Sequence, residues 1–167
     1  MVNRDKMKIA YNLAKEALEK GEMPIAAVIF KDDDIVTKAY TSELNDERFL
    51  VHAELKALME VDKQKYSYAD RRKMKMFVTL EPCMMCLGAS LSFFLGEIHY
   101  AVDAPIDGAI GFIDEIKHRT SNDPGYAIPK TFSGMLKEEC IELFNDYIKV
   151  APNEGLRNFA KGILAVT

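Results

Sequence analysis

Two apolar, β-forming runs, KMFVTL (residues 75–80) and EIHYAV (residues 97–102), flank a longer apolar segment, EPCMMCLGASLSFFLG. The runs have the length of strands and the segment between them the length of a helix. Pro82 suits the first turn of that helix, and Gly96 is placed to end it. Apolar strands alternating with helices argue for a three-layer α/β domain whose sheet is parallel over part of its width.

The flanking sequence extends the pattern. Met7, Ala10, Leu13, Ala14, Ala17 and Leu18 form an apolar stripe at helical spacing, with Asn3 as its cap and Gly21 as its stop. IAAVIF (residues 25–30), the turn KDDD and IVTKAY (residues 35–40) read as a hairpin. Residues 41–50 are polar and irregular, and VHAELKALMEV then reads as a helix. Beyond residue 102 the pattern gives helix, strand and helix, the last being GMLKEECIELFNDYIKV (residues 134–150). With 167 residues and no repeat, low-complexity tract or flexible linker, a single domain over residues 1–167 is expected. Residues 151–167 form a C-terminal tail or a short extra helix starting at Asn153.

VTLEPCMMCLGA (residues 78–89) carries the first chemical signal. Cys83 and Cys86 lie three apart at the start of a helix, so both thiols share one face. A helix N-terminus favours thiolate, the form that binds metal or attacks a disulfide. Taken alone, a C-x-x-C after a strand also suits a thioredoxin-like redox pair. His52 and Glu54, in VHAEL, decide between the two. Two thiolates and an imidazole are three ligands of the kind zinc prefers, and three protein ligands leave the fourth position for water. Zinc lowers the pKa of such a water toward neutrality, and Glu54, on the first turn of the same helix as His52, is placed to move its protons. The pattern H-x-E followed by P-C-x-x-C is a signature of zinc deaminases.

HAE with EPCMMC resembles the cytidine deaminase superfamily. GEMPIAAVIF, VHAELKAL, VTLEPCMMCLGA and GMLKEEC resemble, within it, the branch of tRNA-specific adenosine deaminases and bacterial guanine deaminases. The resemblance runs from about residue 5 to about residue 150. It implies a three-layer α-β-α sandwich on a five-stranded mixed sheet, Zn2+ as cofactor, and a homodimer. It assigns His52, Cys83 and Cys86 as zinc ligands and Glu54 as the proton shuttle, and puts main-chain groups near Ala53 and Cys83 around the reacting centre. The expected activity is hydrolytic deamination of a nucleobase or nucleoside amino-heterocycle, with release of ammonia. The alternatives are deamination of adenosine to inosine in tRNA, a non-catalytic structural zinc domain, and a thiol redox protein.

Two regions depart from that branch. Relatives place an asparagine eleven residues before the zinc histidine, where this chain has Thr41, which offers one hydroxyl instead of a carboxamide's paired donor and acceptor. Asn45 lies in the same loop. The tail KVAPNEGLRNFAKGILAVT is only mildly basic, and the chain carries a net charge of −4. Phosphate contacts supply much of nucleic-acid affinity, so the charge balance favours a small-molecule substrate over tRNA. The three cysteines are an odd set, the N-terminal stretch has no apolar signal region, and no run approaches membrane-spanning length, so a cytoplasmic protein is expected.

Other reactive residues have ordinary readings. Cys140 is expected in the core of the last long helix, against the alternative of a fourth zinc ligand that would close the site. His99 reads as a structural strand residue and His118 as a helix-end residue. Asp103 falls near the substrate loop that the resemblance implies. Glu81 reads as a structural partner with no catalytic role. Phe93, Phe94, Phe144 and Tyr147 sit at helical spacing and are expected in the core, and the nine methionines are read as core filler.

Overall fold

The computed structural model describes residues 1–120 and 128–165. Residues 121–127 and the last two therefore lie outside the described residues, as does the side chain of His118. The elements are α1 (Asn3–Glu19), β1 (Ala26–Lys31), β2 (Asp34–Tyr40), α2 (Ala53–Asp62), α3 (Tyr68–Arg71), β3 (Met74–Leu80), α4 (Met84–Phe93), β4 (Glu97–Val102), α5 (Ile113–Thr120), β5 (Lys130–Phe132), α6 (Lys137–Val150) and α7 (Glu154–Leu164).

One five-stranded sheet in the order β2-β1-β3-β4-β5 organises the chain. The β1–β2 hairpin and the β1–β3 pair are antiparallel, while β3–β4 and β4–β5 are parallel. The sheet is thus mixed, with its parallel part where strands and helices alternate in the sequence. Each strand feeds two cores by its alternation of side chains. Val28, Phe30 and Phe77 pack with Met7, Leu13, Leu143 and Phe144 on one face. Ala27, Ile29, Met76 and Val78 pack with Ala57, Leu58, Leu87 and Leu91 on the other. Helices α1, α6 and α7 therefore cover one face, and α2 and α4 the other. Among the described residues, no helix is long and apolar enough to cross a membrane.

Three local expectations shift. Asn3 is the first residue of α1, not its cap: Val2 is the cap, and its carbonyl accepts from the main-chain N–H of Asp5 and Lys6. Pro82 lies one residue before the cap of α4, which is Cys83. Helix α4 ends at Phe93, with Phe94 in the left-handed conformation at φ 65°. Gly96 serves a different need from stopping the helix. A Cβ there would stand 2.0 Å from the carbonyl oxygen of Arg72, so only glycine permits the approach of β4 to the α3–β3 connection. Asn153 does cap α7, its side-chain oxygen accepting from Leu156 N–H at 2.9 Å.

Candidate metal centre

Two helix N-termini on the same face of the sheet converge at the carboxyl end of β3. His52 is the cap of α2 and Cys83 the cap of α4. Cys86 lies within the first turn of α4, so its thiol and that of Cys83 face His52. The Cys83 and Cys86 sulfurs lie 3.6 and 3.7 Å from His52 Nδ1. All three ligand atoms fall within 4.8 Å of one another. Tetrahedral zinc, at about 2.3 Å from sulfur and about 2.0–2.1 Å from nitrogen, separates a sulfur and a nitrogen ligand by about 3.6 Å. The donor set and its spacing therefore fit zinc. Among the described residues no fourth histidine, cysteine or carboxylate joins the group. Cys140 lies in the core on the opposite face of the sheet, beside Phe144.

The electrostatics of the three groups reflect their crowding. Hydrogen bonding from Cys86, its side chain first, holds the Cys83 thiol down to about 4, well into the thiolate range. The same contact with Cys83, followed by burial, pushes the Cys86 thiol up. Hydrogen bonding to Cys83 and then to Glu43 raises the His52 pKa. Glu43 stands 3.5 Å from His52 Nε2, which turns Nδ1 toward the thiols. A carboxylate on the far ring nitrogen is the usual means of fixing a metal-binding imidazole.

Glu54 is the second residue of α2 and is only 3% exposed. Burial raises its pKa to about 7. A carboxyl group that exchanges its proton near neutrality, next to an ion site, is suited to general acid–base work.

Above these residues lies a cavity of about 250 Å³, lined by Met23, Ile25, Thr41, Glu43, Ala53, Leu80, Glu81, Asp107, Leu156 and Phe159 besides His52, Glu54 and Cys83. It admits a single ring system; drug-sized ligands usually occupy about 300 Å³ or more. Thr41 and Ala53 line it. Thr41 is 2% exposed, and its hydroxyl donates to the Val51 carbonyl at 3.4 Å. Asp103 is not among the lining residues: it pairs at the surface with Lys137 Nζ at 3.2 Å. The acidic residue of that loop at the cavity is Asp107, whose pKa burial raises. Glu81 lines the cavity too, and its carboxylate accepts from the main-chain N–H of Ala104 and Ile110 and so shapes that loop. Asn45 stays out of the cavity, its main-chain N–H donating to Glu22 at 2.7 Å. Leu156 and Phe159 show that α7 forms part of the cavity wall. The spacing that marks its apolar stripe does not say what that stripe covers.

Comparison with known proteins gives a consistent picture. Residues 2–102 match the family model for the cytidine and deoxycytidylate deaminase zinc-binding region. The chain is 31% identical over 135 residues to a tRNA-specific adenosine deaminase of Bacillus subtilis, covering 80% of this chain and 81% of that protein. It is 32% identical over 151 residues to a tRNA-specific adenosine deaminase of Aquifex aeolicus, covering 88% and 94%. Among solved structures, guanine deaminase from Bacillus subtilis superposes with a TM-score of 0.58 at 27% identity, covering 74% of this chain and 79% of that one.

Proposed function

Because this chain belongs to the cytidine and deoxycytidylate deaminase family, we propose that it hydrolytically deaminates a purine-type amino-heterocycle held over His52, Cys83 and Cys86. The observation that carries the reading is the placement of a buried, readily protonated Glu54 beside a three-ligand site at the floor of a ring-sized cavity. Zinc, when bound, acidifies a water and stabilises negative charge developing on the attacked ring. Glu54 then takes a proton from water and gives it to a ring nitrogen. It passes the second proton to the departing amino group. Water and the amino compound become a ring carbonyl and ammonia, with no oxidant consumed.

A purine is favoured because relatives named for adenosine and for guanine both resemble the chain. Two carriers of that purine have support. Sequence similarity favours adenosine within tRNA, the substrate for which the two curated relatives are named. The surroundings of the cavity favour a free base or nucleoside, which we adopt. Glu43 and Asp107 stand at the site, and the chain is acidic overall, whereas RNA binding rests on cationic contacts to phosphate. Ammonia release over a panel of bases, nucleosides and a tRNA anticodon stem-loop, at low and moderate salt, separates the two. Salt-insensitive turnover of a small molecule is expected. Turnover of the stem-loop alone, suppressed by salt, would establish the tRNA reading instead. A homodimer belongs to the same proposal, motivated by exposed Met59 and Met84 on α2 and α4; light scattering that reports a monomer contradicts it.

A further inference from the structure

On the face of the sheet away from the metal centre, His99 stands in the middle of β4 and is only 2% exposed. Its register partners are Phe77 of β3 and Phe132 of β5. The imidazole lies flat between their two rings, at centroid distances of 4.5 and 4.6 Å and with planes 9° and 13° apart. Strand β5 has three residues and lies at the edge of the sheet, so a short ladder and this stack hold it. The main-chain N–H groups of Lys130 and Gly134 donate to the Gly96 and Tyr100 carbonyls at 3.0 and 3.1 Å on either side of it. Strand β5 leads into α6 and then α7, which walls the ring cavity with Leu156 and Phe159.

The surroundings of His99 suit the neutral ring. Its Nε2 lies 2.9 Å from Glu97 Oε2, to which it donates, and the same oxygen takes Lys75 Nζ at 2.9 Å. Among the described residues nothing bonds its buried Nδ1. A neutral imidazole protonated on Nε2 leaves only a lone pair unused there. A second proton would make a buried donor without an acceptor, on a charged ring held out of water. The charged groups facing the ring are Glu97 on its own strand, Lys75 on β3 and Lys6 on α1. Strand β5 adds Lys130, the register partner of Glu97. Helix α6 turns Cys140 and Tyr147 to this core, both kept protonated by burial. Burial outweighs the pull of Glu97 and holds the His99 pKa below its ordinary value.

We propose that His99 is an acid-sensitive latch on β5. Neutral, it is clamped between Phe77 and Phe132 and keeps β5 on the sheet. When β5 lifts, the ring reaches water and takes a proton, and the charged ring resists returning to the stack. The segment that carries α6 and α7 is thereby loosened from β4. A histidine ordinarily titrates near pH 6.5. Because the folded chain holds its pKa lower, the open form binds the proton first, and closure weakens as pH falls below about 6.5.

The test is amide hydrogen exchange of the full zinc-loaded chain, read as protection factors at Lys130 and Gly134. Protection should be level above about pH 6.5 and fall below it by up to about tenfold per pH unit, the limit for one proton. His99→Phe keeps a ring in the stack and cannot take a proton, so its profile should stay level. Glu97→Gln removes the carboxylate that favours the imidazolium, so its fall should run to lower pH than that of the unmutated chain. A level profile in the unmutated chain, or an undiminished fall in His99→Phe, overturns the latch. So does a Glu97→Gln profile that ends its fall at the same or a higher pH, a result that decides the matter even if His99→Phe does not fold.

Discussion

The floor of the site and its rim are built by different means. The floor is made of two helix N-termini, and its reactive groups lie within four residues of one another in sequence on each helix. The rim is assembled from a polar loop, the start of α7 and the buried side chain of Glu22, brought together from three distant parts of the chain. Groups that need fixed distances are therefore held by helical geometry, while the rim is held by loop hydrogen bonds and touches the floor through Glu43, 3.5 Å from His52 Nε2. The contrast predicts that floor substitutions abolish chemistry and that rim substitutions redirect or weaken binding.

The sharpest form of the comparison is metal removal. Cys86→Ser should leave well under the roughly one zinc per chain that a three-ligand site implies, and activity should disappear with it. Cys140→Ser, in the opposite core, should keep its zinc. Metal analysis of both purified variants checks this. Full zinc retention in Cys86→Ser would remove Cys86 from the floor.

Next in size is Glu54→Gln. It keeps the shape of the side chain and removes its proton exchange, so zinc content and fold should persist while turnover falls ~10²–10⁴-fold. Undiminished turnover would assign the proton transfer to another group at the cavity, with Asp107 the first to test.

Cys86 and Glu54 were legible in the sequence as candidates because each sits in a short local spacing. H-x-E and P-C-x-x-C are short spacings on helical starts, and the helix converts them to geometry without help from the fold. The strand EIHYAV was equally plain, and its bounds match β4. The rim was not legible. Asp103 and Asp107 share one irregular loop, where no periodicity tells which carboxylate points outward; the Glu81 hydrogen bonds decide it. Tyr147 falls at core spacing and is in the core, but periodicity assigns a face, not what the end of a long side chain meets. Glu22 follows the Gly21 turn with nothing in its neighbours to announce a buried carboxylate holding a loop 22 residues away.

Glu22→Ala should therefore act on the rim alone. It removes the acceptor of two main-chain N–H groups, a loss of about 1–3 kcal/mol, and the unfolding temperature should drop by several degrees for a domain of this size. KM should rise while zinc per chain stays constant. A change in zinc content would mean that the loop braces the metal ligands, through Glu43 and His52, and that floor and rim are less separable than their construction suggests.

The smallest effect is expected at Thr41, where floor and rim meet. Its hydroxyl is turned toward the Val51 carbonyl, and its main-chain N–H donates to the Ile25 carbonyl at 3.0 Å. The backbone there is tied into the hairpin, and only the side chain is free to change. Thr41→Asn adds a donor and an acceptor to the wall of the ring cavity without touching a metal ligand. Zinc content should stay the same. The ranking of adenine-type against guanine-type substrates should shift by roughly two- to tenfold, the worth of one net hydrogen bond. The two rings present different edge groups, so a new carboxamide cannot serve both equally. A uniform change for every substrate would show that the residue only sets cavity volume, and would move selection between purines to another polar group of the lining, with Asp107 the first to test.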